Sequence, residues 1–223
     1  MSAEVPLLKH LPPPLRAEVS QRLHHIRATK GRHLLEKDST STDVFFVLEG
    51  NAEVVLYSSN GRRVSVHTMG PGDMFGELAA LDGGPRSASI VASSDIRYAR
   101  MRASDFMKCL ECSPEAVIGL TRVLVSSLRR ATEQIFELST LNVRARIHCE
   151  LLRLARKGEP QKDGTVVVRG APTHEALADR IGTHREAVTR EMRALSDNKI
   201  IRYGRGSLTI LNMARLEEEA LRQ

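Results

Sequence analysis

Near Pro114 the hydrophobic period of this chain changes, and the two stretches on either side cannot share one architecture. From about Gly31 to Met101, short apolar runs alternate with glycine-bearing breaks: HLLEKD, VFFVLEG, AEVVLYSSNG, VSVHTMGPGD, SIVASS and IRYARM. Runs of this length, with turns about every 8 to 12 residues, predict a compact antiparallel sandwich or barrel. Ser59-Asn60-Gly61 is expected to make a hairpin turn, because Asn and Gly tolerate positive φ. Ahead of the strands, Pro14 to Leu23 reads as a short helix. Beyond Pro114, positions Val117, Thr121, Leu124, Leu128, Ala131, Ile135, Leu138 and Asn142 alternate steps of four and three, one seam along a long helix. Thr121, Ala131 and Asn142 weaken that seam. It predicts a two-stranded coiled coil and hence a two-fold symmetric homodimer; the alternative is a helix lying on its own domain's core.

Past Val143 the pattern is helical again, with Arg146 to Ala155 apolar on one side, then a polar loop, KGEPQKDG, and a strand, TVVVRG. The segment PTHEALADRIGTHREAVTREMRALSDNKIIRYGRGSLTIL follows. Leu177, Ala178 and Ile181 face inward on a first helix, Gly182 makes the turn, and Val188, Met192 and Leu195 anchor a second. Small Ala178 permits a close helix crossing and Gly182 a sharp turn, as a helix-turn-helix requires. Ile200–Tyr203 and Ser207–Leu211, with Gly204 and Gly206 between them, predict a hairpin wing.

On its outer face the second helix presents Arg185, Glu186, Thr189 and Arg190 within its first two turns. In a major groove, arginine pairs with guanine O6 and N7, and glutamate accepts from cytosine N4. Thr183-x-x-Glu186 also satisfies a capping box, in which Glu186 only closes the helix start, and two arginines with a glutamate are also consistent with a solvated face.

In the strand-rich half, Phe75-Gly76-Glu77-Leu78-Ala79-Ala80-Leu81 followed by Pro85-Arg86-Ser87-Ala88-Ser89 sets a glycine-led turn and short helix beside an arginine and a serine. Such a group suits an anion held by an arginine fork, with the Glu77 carboxylate accepting from a ligand hydroxyl. A buried Glu77–Arg86 ion pair is the alternative.

The 223 residues and 41% hydrophobic content support a core in each half, and a net charge of +6 favours polyanionic partners. The start, MSAEVPLLKHLPPPLR, lacks a signal-peptide pattern and no apolar stretch is long enough to span a bilayer, so a cytoplasmic protein without membrane attachment is expected. Cys109, Cys112 and Cys149 include one C-x-x-C but no second soft-ligand pair, so no metal site is expected. A cupin-like metalloenzyme needs several inward His and Glu ligands, and only His67 and Glu77 are candidates. No nucleophile, base and orienting group stand together, and no catalysis is expected. A constitutive DNA-binding architectural protein, its β-roll serving only as a dimer support, is a further alternative; Glu77 and Arg86 speak against it.

Gly70-Pro71-Gly72-Asp73, the GELAAL and PRSAS segments, the long helix and the Arg185-Glu186-Ala187-Val188-Thr189-Arg190 helix together resemble the cAMP receptor protein branch of the CRP/FNR superfamily. The likeness runs over nearly the whole chain, with the motifs in the family's order. It implies an α+β protein: a cyclic-nucleotide-binding, jelly-roll-like β-roll (1–113), a central dimerisation helix (114–142) and a winged helix-turn-helix DNA-binding domain (143–223). It implies cAMP or cGMP as an allosteric ligand and no prosthetic group. Glu77 is then the ribose-binding residue, Arg86 and Ser87 hold the cyclic phosphate, Gly76 supplies a backbone contact, and Leu78 and Thr132 complete the ligand set. In the family a Thr-Ser pair on the central helix touches adenine; Ala131 and Thr132 stand at those positions, so the base-reading part of the site is altered. The implied DNA set is Thr173, Thr183, Arg185, Glu186, Thr189 and Arg190, reading a palindrome near TGTGA-N6-TCACA, with Thr189 where that branch often has glycine. RNA polymerase is an expected partner, through the 157–164 loop. A family regulator independent of cyclic nucleotide is the alternative.

Overall fold

The computed structural model describes residues 5–59, 61, 63–204 and 206–221, and the chain divides into two compact units, Met1–Leu128 and Arg129–Gln223. After a 3-10 turn at Pro6–His10, the first unit runs α1 (Pro13–Arg22), β1 (His24–Ala28), β2 (His33–Leu35), β3 (Val44–Glu49), β4 (Ala52–Tyr57), β5 (Arg63–Met69) and β6 (Met74–Phe75). It continues through α2 (Glu77–Asp82), β7 (Ser89–Ala92), β8 (Ile96–Met101) and α3 (Ala103–Cys112). The strands form two antiparallel sheets, ordered β1-β8-β3-β6 and β2-β7-β4-β5. Asn60 of the expected hairpin turn lies outside the described residues; β4 and β5 on either side of it do pair, from Tyr57 opposite Arg63 inward.

The run VFFVLE in β3 shows why alternation breaks down here. Phe45 and Val47 enter the core shared by the two sheets, with Phe75 and Tyr98, while Val44, Phe46 and Leu48 on the other face meet α1 and α3 through Leu15, Val19 and Phe106. A strand covered on both faces reads as a continuous apolar run rather than an alternating one.

The long helix α4 (Pro114–Thr140) begins on that second core, where Ala116, Leu120 and Leu124 pack at intervals of four. Another stripe stays open: Ile118, Val125, Leu128, Ile135 and Phe136 are exposed, the last three by 68%, 65% and 62%. Two positions of the expected seam therefore fall elsewhere. Leu124 serves its own unit's core, and Asn142 lies beyond the helix as N-cap of the next one, accepting from the Ala145 N–H at 3.0 Å.

The second unit continues with α5 (Val143–Arg156), β9 (Glu159–Pro160), β10 (Val166–Arg169), α6 (His174–Ile181), α7 (Arg185–Asp197), β11 (Ile201–Gly204), β12 (Ser207–Ile210) and α8 (Met213–Leu221). Its antiparallel sheet is ordered β11-β12-β10-β9, and one core joins Ile147 and Leu151 to Leu177, Ile181, Val188, Met192, Leu195, Leu208 and Leu216. Between α6 and α7, Gly182 adopts φ 65°, and the Thr183 N–H closes the turn on the Ala178 carbonyl at 3.0 Å. The hairpin β11–β12 follows α7 as a wing.

Candidate nucleotide cassette and DNA-reading helix

In the first unit, β6 ends at Phe75 and α2 starts at Glu77; Gly76 joins them at φ 83°, a conformation that favours glycine. A Cβ at Gly76 would lie 2.6 Å from Arg86 Nη1 and 2.9 Å from the Asp43 carbonyl oxygen, so position 76 excludes every other residue. Arg86 is 2% exposed. Its guanidinium donates from Nη1 to the Gly76 carbonyl at 2.6 Å, from Nη2 to the Asp43 carbonyl at 2.7 Å and from Nε to the Ser41 hydroxyl at 3.2 Å. Three of the five guanidinium N–H groups are thereby used, and one on each terminal nitrogen is left. Phe45 supports it from below, with Cζ 5.9 Å from the ring centroid.

Glu77 is half-buried beside this arginine yet forms no ion pair with it, so the alternative of a simple buried pair is not what the fold builds. Burial raises the Glu77 pKa above the usual carboxylate range, while its own backbone N–H and the Arg86 charge pull it back. Ser87 and Leu78 are exposed beside it. The structure thus brings together Gly76, Glu77, Leu78, Arg86 and Ser87 in the first unit. Ala131 and Thr132 both belong to the second, on the exposed part of α4 and each three or four residues from Leu128 and Ile135.

On α7, Arg185, Glu186, Thr189 and Arg190 are all exposed, opposite the buried Val188, Met192 and Leu195. Arg185, Glu186 and Arg190 make no hydrogen bond or ion pair with described residues. The helix begins at Arg185 with His184 as N-cap, one residue later than a Thr183 capping box demands; Thr183 is buried in the turn instead. Thr173 caps α6 by accepting from the Ala176 N–H at 3.2 Å. Thr173, His174, Glu175, Arg185 and Tyr203 line a cleft of about 410 Å³ beside the start of both helices.

Two features of this half had no signal in the sequence. On the inner side of α7, the Glu191 carboxylate accepts from His148 Nε2 on α5 at 2.8 Å and from Arg144 Nε at 2.9 Å, so a buried polar group fixes the helix that carries the outward arginines. His174 meets Thr189 across the turn, Nδ1 to Oγ1 at 3.0 Å. Each pair joins residues on different helices and far apart in the chain, and a period-based reading does not detect it.

Residues 25–113 match the cyclic nucleotide-binding domain family, and residues 145–219 match the Crp-like helix-turn-helix domain family. The chain belongs to the CRP/FNR family. It is thus a DNA-binding transcription regulator with a cyclic-nucleotide-binding domain, not an enzyme. Among similar proteins, the CRP-like cAMP-activated global transcriptional regulator of Mycobacterium tuberculosis is 27% identical over 204 residues, covering 92% of this chain and 91% of the relative. The cyclic AMP receptor protein of Thermus thermophilus is 29% identical over 191 residues, covering 86% and 85%. A solved CRP/FNR-family transcriptional regulator from Thermus thermophilus superposes with a TM-score of 0.71 at 26% identity, over 88% of this chain and 98% of that one. Among the described residues of this family member, no helix is long and apolar enough to cross a membrane and no group of three His, Cys, Asp or Glu is arranged to hold a metal; the three cysteines are free.

Proposed function

We propose that this CRP/FNR regulator acts in the cytoplasm as a homodimer that binds cAMP or cGMP through Gly76, Glu77, Leu78, Arg86, Ser87 and Thr132, and in that state reads a palindrome near TGTGA-N6-TCACA. The observation that carries the nucleotide part is Glu77, a half-buried carboxylate with no ion-pair partner among the described residues, set beside a guanidinium that keeps two N–H groups unused among them. A ribose hydroxyl supplies the missing donor, and a cyclic phosphate accepts from the remaining guanidinium N–H groups and from Ser87. The named relatives respond to cAMP, which supports this class of ligand.

Dimerisation uses the open stripe of α4, whose Leu128, Ile135 and Phe136 otherwise leave apolar surface in water. Thr132 lies on that stripe and therefore faces the symmetry-related helix, where its hydroxyl contacts the base. Two α7 helices then meet successive major grooves: Arg185 and Arg190 read guanine, Glu186 reads cytosine, and Thr173 contacts the backbone. Thr183, being buried, acts through the turn it stabilises. Polymerase contact falls to the 157–164 loop.

A second reading, regulation without cyclic nucleotide, draws on Ala131, whose methyl group offers no hydrogen bond to a base. Isothermal titration with cAMP and cGMP decides between them. The proposal expects binding of at least one nucleotide, weakened tenfold or more by Glu77→Gln; heat from neither nucleotide contradicts it and favours the second reading.

A further inference from the structure

The two helices of the reader meet at a contact that packing alone does not require. Thr189 faces outward on α7, and its hydroxyl is 3.0 Å from Nδ1 of His174, the first residue of α6. The imidazole lies against the Tyr203 ring of the wing at 4.9 Å between centroids, and the Tyr203 hydroxyl is itself held, donating to the Pro172 carbonyl at 2.8 Å. The His174 ring is therefore fixed from two sides, by α7 and by β11. Its Nε2 is buried and makes no hydrogen bond among the described residues, so Nδ1 carries its only polar contact. Burial, followed by the positive charge of Arg185, lowers its pKa, which keeps the ring neutral with one donor and one acceptor nitrogen.

Threonine inside a helix ordinarily divides between rotamers, one of which turns its hydroxyl back to a carbonyl three or four residues earlier, here Glu186 or Arg185. A hydroxyl spent on the backbone points along the helix and is lost to a partner in front of it. The bond to His174 competes with that rotamer. It also uses part of the hydroxyl's capacity: a hydroxyl donating to Nδ1 keeps only its lone pairs for a partner, and one accepting from Nδ1–H keeps its hydrogen and one lone pair, in either case in directions set by the bond to His174.

We propose that His174 is a specificity-determining residue of the DNA reader, setting through Thr189 which base is preferred at one position of each half-site. This rests on the reading of α7 as the major-groove helix. One base pair is then read jointly by both helices of the motif: Thr189 makes the contact and His174 is the positioning residue. Arg185, Glu186 and Arg190 read their bases independently of it.

The test is equilibrium binding of the full chain, with saturating cAMP or cGMP where either binds, to palindromes in which each half-site position is changed symmetrically to all four bases. The variants are Thr189→Val, His174→Phe, which keeps a ring against Tyr203 but has no nitrogen, and His174→Ala. The inference expects Thr189→Val to lose discrimination at one position by about threefold to tenfold, the range a single hydrogen bond supplies. His174→Phe loses it at the same position and by a similar factor, the double variant His174→Phe/Thr189→Val adds nothing further, and discrimination elsewhere is unchanged. Thermal melts of His174→Phe and His174→Ala show whether the domain stays folded, and His174→Phe alone decides the case if His174→Ala does not. Retention by His174→Phe of the preference that Thr189→Val loses overturns the inference while leaving the DNA-reading assignment intact. Wild-type protein that discriminates among none of the palindromes overturns both.

Discussion

In the proposed binding mode Arg86 serves two roles, which any variant at the cassette has to separate. Its guanidinium ties together the backbone at Asp43, the Ser41 side chain and the Gly76 turn, so it holds the cassette's shape as well as offering N–H groups to an anion. Arg86→Ala is expected to lower unfolding free energy by about 2–4 kcal/mol, because two part-buried carbonyls and a hydroxyl lose a charged donor. Loss of nucleotide binding in that variant is therefore ambiguous. Glu77→Gln is the cleaner probe, and its effect on stability has a definite sign. The folded-state pKa of Glu77 is raised, so its stabilising contribution is present below the unfolded value, about 4.3, and is lost as pH rises through the folded value. Without ligand, Glu77→Gln should melt higher than wild type near pH 7, with the difference shrinking toward about pH 4. A lower melting temperature at neutral pH would show that the carboxylate has a stabilising partner. The residue types at Gly76, Glu77 and Arg86 stand out in the sequence because each can do something few others can: adopt positive φ, accept from a hydroxyl, donate as a fork. That Arg86 is already engaged by carbonyls does not, because backbone acceptors leave no mark in a sequence.

At the scale of elements, helix α4 carries apolar residues on two adjacent faces, one serving its own unit through Ala116, Leu120 and Leu124 and one open through Val125, Leu128, Ile135 and Phe136. A heptad count cannot separate stripes that lie one residue apart, which is why Leu124 entered the expected seam and the exposed Val125 fell beside it. The turn chemistry at Gly182 was legible, and the helix-turn-helix with it, whereas the start of α7 shifted by one residue because Thr183 is drawn into the turn. Replacing Leu128 and Ile135 together by Asp should give monomers in sedimentation and abolish binding to a full palindrome, with the melting temperature of each unit little changed. An unaltered dimer in that experiment assigns the interface to another surface. Inside the second unit, Glu191→Ala leaves the buried His148 Nε2 without its acceptor and leaves Arg144 only Glu219, at 3.9 Å, and is expected to cost about 2–4 kcal/mol in urea unfolding. It should also weaken DNA binding at every half-site position alike, because it loosens the mounting of α7 rather than any one contact.

At the scale of the whole molecule, the proposed symmetric dimer links its nucleotide and DNA sites. A ligand shifts a conformational equilibrium only by as much as its affinity differs between the two states, and coupling of this kind typically reaches about 5- to 150-fold. The net charge of +6 adds an attraction to phosphate that is indifferent to sequence and weakens with salt, so the comparison belongs at one fixed ionic strength. The most direct measurement is the affinity of the full chain for a TGTGA-N6-TCACA duplex with no nucleotide, with cAMP and with cGMP, repeated on Glu77→Gln. The account predicts that at least one nucleotide tightens binding tenfold or more and that Glu77→Gln removes the difference while leaving the nucleotide-free affinity in place. Equal affinity under all three conditions would contradict it, and would leave a DNA reader whose cassette does not respond to cyclic nucleotide.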